Sequence, residues 1–289
     1  MLLLESRGTR LKQPLDTNAG YTPGRRERRL RFARWIYPWT RAFPPSSKRH
    51  AGESLRSQLE MVDNDIGMTV FGIVGFAAGY YLCWYTLHLT PAHQALYVLA
   101  TFLTVLVIGG FFLVRLWRQF VRLHKGLRAE LKVGDNLDLL QHRGARVIHD
   151  IQCIGKKARY NIDHCVIHPS GIWVIETKYV SPGRHGILDV SEEGLRCGPK
   201  KLGDGALRQA RRNAFEIRDV IYKATARKVW IHPAVLVEGF TIRGESEFCR
   251  VDNVQGFLAY IRSLPSHLSP QEIKSISEAL LAYSLKNSD

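Results

Sequence analysis

Two long, uninterrupted apolar runs come first along the chain, and shorter runs with the periodicity of strands and helices follow them. Residues 67–89 and 94–114 contain no Asp, Glu, Lys or Arg, and each run is long enough to cross a hydrocarbon core of about 30 Å. Beyond residue 145, short runs rich in β-branched residues are typical of strands, and amphipathic runs with a period near 3.6 are typical of helices. The order predicts a helical hairpin followed by an α/β body.

The clearest strand pattern is a predicted β-hairpin. Residues 162–167 and 172–177 are rich in β-branched side chains, and the His-Pro-Ser-Gly between them suits a short turn. Because side chains alternate faces along a strand, Glu176 and Lys178 share one face of the second strand. The hairpin also brings Asp163, near the start of the first strand, close to Glu176.

The remaining body is predicted to contain further strands and helices. A loose helical period covers 126–140, and Asp204 is the expected N-cap of an amphipathic helix. Pro233 suggests an edge or an irregularity in its strand. The other predicted elements are strands at 145–153, 186–190, 229–237 and 248–251, and helices at 204–221, 254–264 and 269–285.

Two acids and a lysine thus meet at one end of an otherwise apolar hairpin. Charged groups on a half-buried strand cost free energy unless they are paired or bind a metal ion. Two carboxylates suit a hard divalent cation, and a neighbouring lysine can hold an attacking water or stabilise charge on a phosphate. The alternative is an ordinary Glu176–Lys178 charge pair on a solvent-facing strand, with Asp163 in a turn.

Positive charge on both sides of the apolar hairpin indicates its orientation. Residues 1–62 are rich in arginine, and more arginines follow the second run from Arg115 onward. Since cytoplasmic flanks carry the excess of Lys and Arg, both termini are expected in the cytoplasm, with the hairpin in the inner (plasma) membrane. Residues 1–62 should be largely disordered. Within them, residues 28–43 mix aromatic and arginine side chains, which favours an interfacial anchor over a solvated tail or a DNA contact.

The formal net charge of +15 favours polyanionic partners: nucleic acid, anionic lipid at the basic N-terminal region, or both. A solvated basic surface is the alternative interpretation. The five cysteines include no Cys-x-x-Cys pair, which argues against a disulfide framework and against a zinc knuckle. The basic side chains that could contact phosphates are Lys156, Lys157, Arg208, Arg211 and Arg212.

The runs Asn-Ile-Asp-His at 161–164 and Gly-Ile-Trp-Val-Ile-Glu-Thr-Lys at 171–178 resemble the nuclease-related domain, or NERD. That family belongs to the PD-(D/E)xK, restriction-endonuclease-like superfamily. The likeness extends from about Gly126 to Leu236 and implies a mixed sheet flanked by helices. It also implies Mg²⁺, or alternatively Mn²⁺, as the cofactor.

The resemblance assigns roles to individual residues. Asp163, Glu176 and the main chain at Thr177 would be metal ligands, and Lys178 would assist the attacking water. Two further residues match family positions, Glu130 and Gln209. Glu130 is either a third acid of the site or a solvated helix position. Gln209 corresponds to a glutamine that the family carries near the catalytic centre.

Four regions are therefore expected: a basic N-terminal region (1–62), a transmembrane hairpin (63–118), a nuclease-related domain (119–240) and a C-terminal helical extension (241–289). The expected function is a membrane-anchored, Mg²⁺-dependent nuclease that hydrolyses phosphodiester bonds of nucleic acid, DNA rather than RNA, on the cytoplasmic side. The alternatives are a non-catalytic DNA-binding module and a membrane scaffold built on the same fold. The sequence does not indicate an oligomeric state.

Overall fold

A computed structural model of the chain describes residues 50–87, 92–155, 159–180 and 186–287. The predictions for the tail (1–49), including the anchor at 28–43, and for Lys156 and Lys157 lie outside the described residues. The described chain begins with two long helices, α1 (Glu53–Leu87) and α2 (Ala92–Asp138).

Helices α1 and α2 pack against each other and are both long and apolar enough to cross a membrane. Large apolar side chains point outward along them; Phe71 is 76% exposed and Val107 is 71% exposed. The two helices approach closely at Gly109, where an added Cβ would lie 2.6 Å from the Ile73 side chain. These features agree with the predicted apolar hairpin.

Helix α2 does not stop where its apolar run stops. It continues through the arginine-rich segment to Asp138 and then tightens into a 3₁₀ turn, Leu139–Arg143, which Gly144 ends in the left-handed conformation (φ 82°). Helix α1 begins at Glu53. The expected boundaries at 62/63 and 118/119 therefore lie inside continuous helices, because the hairpin helices extend into the body without a linker. We call residues 53–66 and 115–138 the stem.

The body contains two mixed sheets. The first has the order β1-β2-β3-β7-β9; β1–β3 are antiparallel, whereas β3, β7 and β9 are parallel. The second has the order β6-β5-β4-β8. The strands are β1 (Arg146–Ile154), β2 (Arg159–His168), β3 (Gly171–Lys178), β4 (Ile187–Ser191), β5 (Gly194–Cys197), β6 (Lys200–Gly203), β7 (Ile231–Val237), β8 (Thr241–Gly244) and β9 (Arg250–Asp252).

Helices cover both faces of the first sheet. Helices α3 (Gly205–Thr225) and α5 (Pro270–Lys286) share one apolar cluster with it, and the end of α2 and α4 (Val254–Ser263) share another. Helix α5 begins with a capping box between Ser269 and Glu272. The C-terminal helices are therefore packed parts of the body.

The prediction of an α/β fold with a mixed sheet and flanking helices is confirmed. The predicted hairpin is β2–β3, closed at the His168–Gly171 pair. Strand β7 lies between β3 and β9, but β9 pairs only from Ala234 onward, so Pro233 has no β9 neighbour. Asp204 occupies the predicted N-cap position of α3, but its side chain caps no amide of the helix and instead forms an ion pair with Arg208.

Candidate active site

Three acidic residues lie side by side across β1, β2 and β3. The pairs His149–His164 and Ile151–Ile162 flank Asp150 and Asp163, which places these two acids opposite each other. The β2–β3 ladder ends at His164–Ile175, so Asp163 and Glu176 are the next opposing positions. The Thr177 amide N–H donates a hydrogen bond to Asp163 Oδ2 (2.7 Å). The hairpin thus brings Asp163 to the Glu176–Lys178 end of β3, as predicted.

The regular alternation of β1 breaks at Asp150. Ile148 and Ile151 pack into the same apolar cluster although they are three positions apart, an offset that places side chains on opposite faces of a regular strand. Asp150 itself has a positive φ of 51°, a conformation in which aspartate is several-fold enriched among non-glycine residues. Ile162 and Cys165 on β2 share that cluster too. The strand irregularity therefore lies at the row of acids.

Glu130 comes to the same place from helix α2. It is only 4% exposed, so the solvated alternative for this residue is wrong. Its Oε1 accepts a hydrogen bond from the Gly52 amide (2.8 Å). Burial, together with the charges of Asp150 and Glu176, raises the pKa of Glu130 to about 7 despite that hydrogen bond. Glu130 is therefore a buried member of the acid cluster, which we define as Glu130, Asp150, Asp163 and Glu176.

Lys178 is the cation that faces this cluster. Its Nζ donates to Glu176 Oε1 (2.5 Å) and to Gln209 Oε1 on α3 (3.2 Å). Asn213, one turn further along α3, donates to Glu176 Oε2 (3.3 Å). The lysine side chain is 35% exposed, whereas the glutamate side chain is 3% exposed. Lys178 therefore connects the buried acids with solvent.

Burial raises the pKa values of Glu130, Asp163 and Glu176. Burial raises the pKa of Asp163 well above its usual range, and the charges of Glu176 and Glu130 raise it further. Burial also raises the pKa of Glu176, while Lys178 and Arg212 oppose that rise. The cluster holds four carboxylates, and the cations described beside it are Lys178 and Arg212. Binding protons or an additional cation would therefore stabilise it.

A chain of hydrogen bonds runs behind the acids on the opposite face of the sheet. His149 joins Asp138 (3.1 Å) to His164 (2.8 Å), and His164 Nε2 lies 3.2 Å from Thr177 Oγ1. Burial lowers the pKa of His164 well below its usual value. His164 is thus a neutral, hydrogen-bonded structural residue.

The basic residues proposed to contact nucleic acid do not share one environment. Arg212 stacks on Tyr160 (5.5 Å) and lowers the pKa of Glu176, which places its charge near the acids. Arg211 stacks instead on Phe248 (4.7 Å), and Arg208 is paired with Asp204. Among these three arginines, Arg212 is therefore the one whose charge acts on the acid cluster.

Sequence reasoning missed two side chains of the site. The sequence pattern places Asp150 within a predicted strand, where a charged residue among Val-Ile-His-Asp-Ile carries the same burial cost as Glu176. Asn213 interrupts the apolar stripe of α3 at one turn from Gln209, and its side chain is fully buried. The charge within the β1 pattern and the polar residue within the apolar stripe of α3 are both visible in the sequence. Only the fold shows that these two residues lie at the site.

The chemistry of the donor set fits a hard divalent cation, because carboxylate and carbonyl oxygens are the ligands that Mg²⁺ prefers. In the described parts of the chain, no three Asp, Glu, His or Cys side chains lie close enough together to hold an ion unaided. Two carboxylates, the main-chain oxygen between Glu176 and Lys178, and water would have to supply the ligands.

Residues 125–237 match the nuclease-related domain family. The chain carries a nuclease-related domain. That domain spans the end of α2 and strands β1 to β7, and it includes the whole acid cluster, Lys178, Gln209 and Asn213. The family match agrees with the resemblance noted in the sequence.

Two further comparisons add little to the family match. No curated protein sequence matches the chain. A structural likeness exists to the crystal structure of protein VC1899 from Vibrio cholerae, at 11% identity and a TM-score of 0.22. It covers 82% of this chain and 58% of that one. The chain thus spans little more than half the length of the solved structure it matches, and so low a TM-score carries no structural conclusion.

Proposed function

We propose that the protein is a membrane-anchored nuclease that hydrolyses phosphodiester bonds of nucleic acid, DNA in preference to RNA, on the cytoplasmic side. The observation that carries this proposal is the convergence of four carboxylates and Lys178 at one end of the first sheet, within the nuclease-related domain. Burying that much charge is costly, and a catalytic role accounts for the cost.

Individual side chains have distinct roles in the proposed reaction. Asp163, Glu176 and the Thr177 carbonyl would hold Mg²⁺, or Mn²⁺, which when bound polarises the phosphate and activates water. Lys178, fixed between Glu176 and Gln209, would orient the attacking water or stabilise charge on the phosphate. Asn213 keeps the second Glu176 oxygen in place. Glu130 and Asp150 would support the ligand carboxylates.

The location in the inner membrane is proposed from the apolar hairpin. Its outward-facing apolar side chains favour lipid over water, and the basic flanks favour a cytoplasmic position for both ends. The stem then holds the acid cluster about 22 Å from the apolar run, since Arg115 and Glu130 are separated by 15 residues at about 1.5 Å each. A substrate could therefore reach the site from the cytoplasm.

The decisive experiment is a cleavage assay with the full chain in lipid nanodiscs, using single- and double-stranded DNA and RNA with Mg²⁺. Wild type should cut, and Asp163→Asn and Lys178→Ala should each lose at least a thousandfold in rate. Asp219→Asn and Lys274→Ala are matched controls, because they alter exposed residues of the same kind. Cleavage that survives both Asp163→Asn and Lys178→Ala would refute the assignment.

A second function, a nucleic-acid-binding module without cleavage, is favoured by one observation. The acids are already engaged by internal donors: Gly52 with Glu130, Thr177 with Asp163, and Lys178 with Glu176. Such engagement would suit a site that has lost its ion. Nucleic-acid binding by the full chain, with no cleavage across Mg²⁺ and Mn²⁺, would support this module over the nuclease.

A further inference from the structure

The N-terminal end of α1 makes direct hydrogen bonds to two members of the acid cluster. The Gly52 amide donates to Glu130 Oε1 (2.8 Å), and the Ser54 amide donates to Asp150 Oδ2 (3.1 Å). Both acids are almost fully buried, at 4% and 1% exposure. These donors lie outside the nuclease-related domain, at Gly52 directly before α1 and at Ser54 in its first turn.

Close packing fixes this end of α1 in place. Gly52 has a φ of 72°, and a side chain there would overlap the Leu127 side chain. An added Cβ at Gly134 would lie 2.6 Å from Ala51, and one at Gly126 would lie 3.6 Å from Leu55. Residues 51–55 therefore pack tightly against the part of α2 that presents Glu130.

Both hairpin helices reach the same acids. Helix α2 supplies the Glu130 carboxylate, and α1 supplies the amides that bind Glu130 and Asp150. A displacement of α1 along α2 would therefore move the donors away from the carboxylates. The contact couples the geometry of the hairpin to the geometry of the site.

We propose that the N-terminal end of α1 is a working part of the catalytic site, in which the Gly52 and Ser54 amides position the Glu130 and Asp150 carboxylates. The inference rests on the proposed nuclease function and extends it beyond the nuclease-related domain. Hydrogen bonds to carboxylates are stronger than those between neutral groups, so two of them can fix the orientation of acids that otherwise repel their neighbours. The apolar hairpin then has a second role besides anchoring: it completes the site.

The contact can be tested without metal or substrate by hydrogen–deuterium exchange of the full chain in nanodiscs. Glu130→Ala removes the acceptor of the Gly52 amide, and Asp150→Ala removes that of the Ser54 amide. Each variant should speed exchange of its own amide at least tenfold. Glu278→Ala, an exposed acid on α5, is the control and should leave both amides unchanged.

The role in catalysis is tested by variants of the α1 end itself. Ser54→Pro removes one donor in the first turn of a helix, where proline is tolerated. Gly52→Ala adds a side chain at a positive φ against Leu127. Each should lower the cleavage rate about tenfold or more. Gly144→Ala is the matched control, because Gly144 has a φ of 82° but open space around it, so it carries the backbone strain alone.

The outcomes separate this inference from the proposed function. Unchanged exchange of both amides in the acid variants would overturn the inference even if wild type cuts DNA. Unchanged cleavage in both Ser54→Pro and Gly52→Ala would also overturn it, because the contact would then serve stability alone. A wild-type chain that cuts nothing would remove the proposed nuclease, and the positioning role with it, whatever the exchange result.

Discussion

The two halves of strand β3 differ in side-chain polarity: the first is apolar and the second, which we call the acid end, is charged. Ile172 to Ile175 are apolar and at most 3% exposed, and they pack into the clusters on both faces of the sheet. Glu176 and Lys178, directly after them, lie among three other acids. The first half stabilises the fold, whereas the second half lowers its stability, because buried carboxylates pay for desolvation. The charged residues at this end are therefore expected to contribute to catalysis and not to the stability of the fold.

The largest loss of activity is expected when the charge of Glu176, at the acid end of β3, is removed. Glu176→Gln keeps the shape of the side chain but removes the charge that a cation would bind. Cleavage should fall at least a thousandfold, while the melting temperature stays the same or rises, since burial raises the pKa of Glu176 and so disfavours its charged form. Cleavage kinetics and thermal unfolding of the same preparation measure both effects. A large loss of stability would show that the acids hold the fold together.

The opposite change is made in the apolar half of the same strand. Ile172→Ala leaves a cavity at a position that is 1% exposed. It should destabilise the protein by about 2–5 kcal/mol. Denaturant unfolding gives the loss, and the rate per folded molecule should remain within a few-fold of wild type. A specific loss of cleavage with no loss of stability would contradict the division of β3.

The acid end was easier to predict than the rest of the site because its parts are close in sequence. Asp163, Glu176 and Lys178 sit on one hairpin, whose register follows from β-branched runs and a short turn. Asp150, Asn213 and the Gly52 amide reach the site only through tertiary packing of β1, α3 and α1. No spacing rule links residues that far apart in the chain.

In the fold as well, the long elements could be predicted from the sequence and the shortest strands could not. Helices with a clear apolar stripe, such as α3 and α5, were predicted, as were the long strands of the first sheet. Most of the second sheet was missed, because β5, β6 and β8 have four residues each and too few positions for a period. Asp204 stands at the predicted N-cap of α3, but its carboxylate pairs with Arg208 and not with a helix amide.

In the absence of divalent ions, the stability of the protein should depend on pH through Glu130. The pKa of Glu130 is about 7 in the folded chain, so folded Glu130 keeps a proton that the unfolded chain loses near pH 4.5. Stability should therefore fall as pH rises toward 8. Between pH 5.5 and 8 wild type should lose about 1–2 kcal/mol relative to Glu130→Gln. Denaturant unfolding of both proteins across this range measures the difference; parallel curves would contradict it.

The smallest expected effect concerns the basic side chains beside the acids. Arg212 acts on Glu176, whereas Arg208 is exposed and paired with Asp204. Arg212→Ala should weaken nucleic-acid binding about three- to tenfold. It should also make the slope of log affinity against log salt concentration shallower by about one. Arg208→Ala should change affinity less than twofold. Fluorescence anisotropy at several salt concentrations tests the pair, and equal effects would place both arginines on an unspecific basic surface.

The acid cluster should bind a divalent cation. Titration of the full chain with Mn²⁺, followed by electron paramagnetic resonance of the free ion, measures this binding. Wild type should bind one or two ions saturably, and Asp163→Asn should bind them at least tenfold more weakly. The account is contradicted if wild type shows no saturable binding, or if Asp163→Asn binds Mn²⁺ as tightly as wild type.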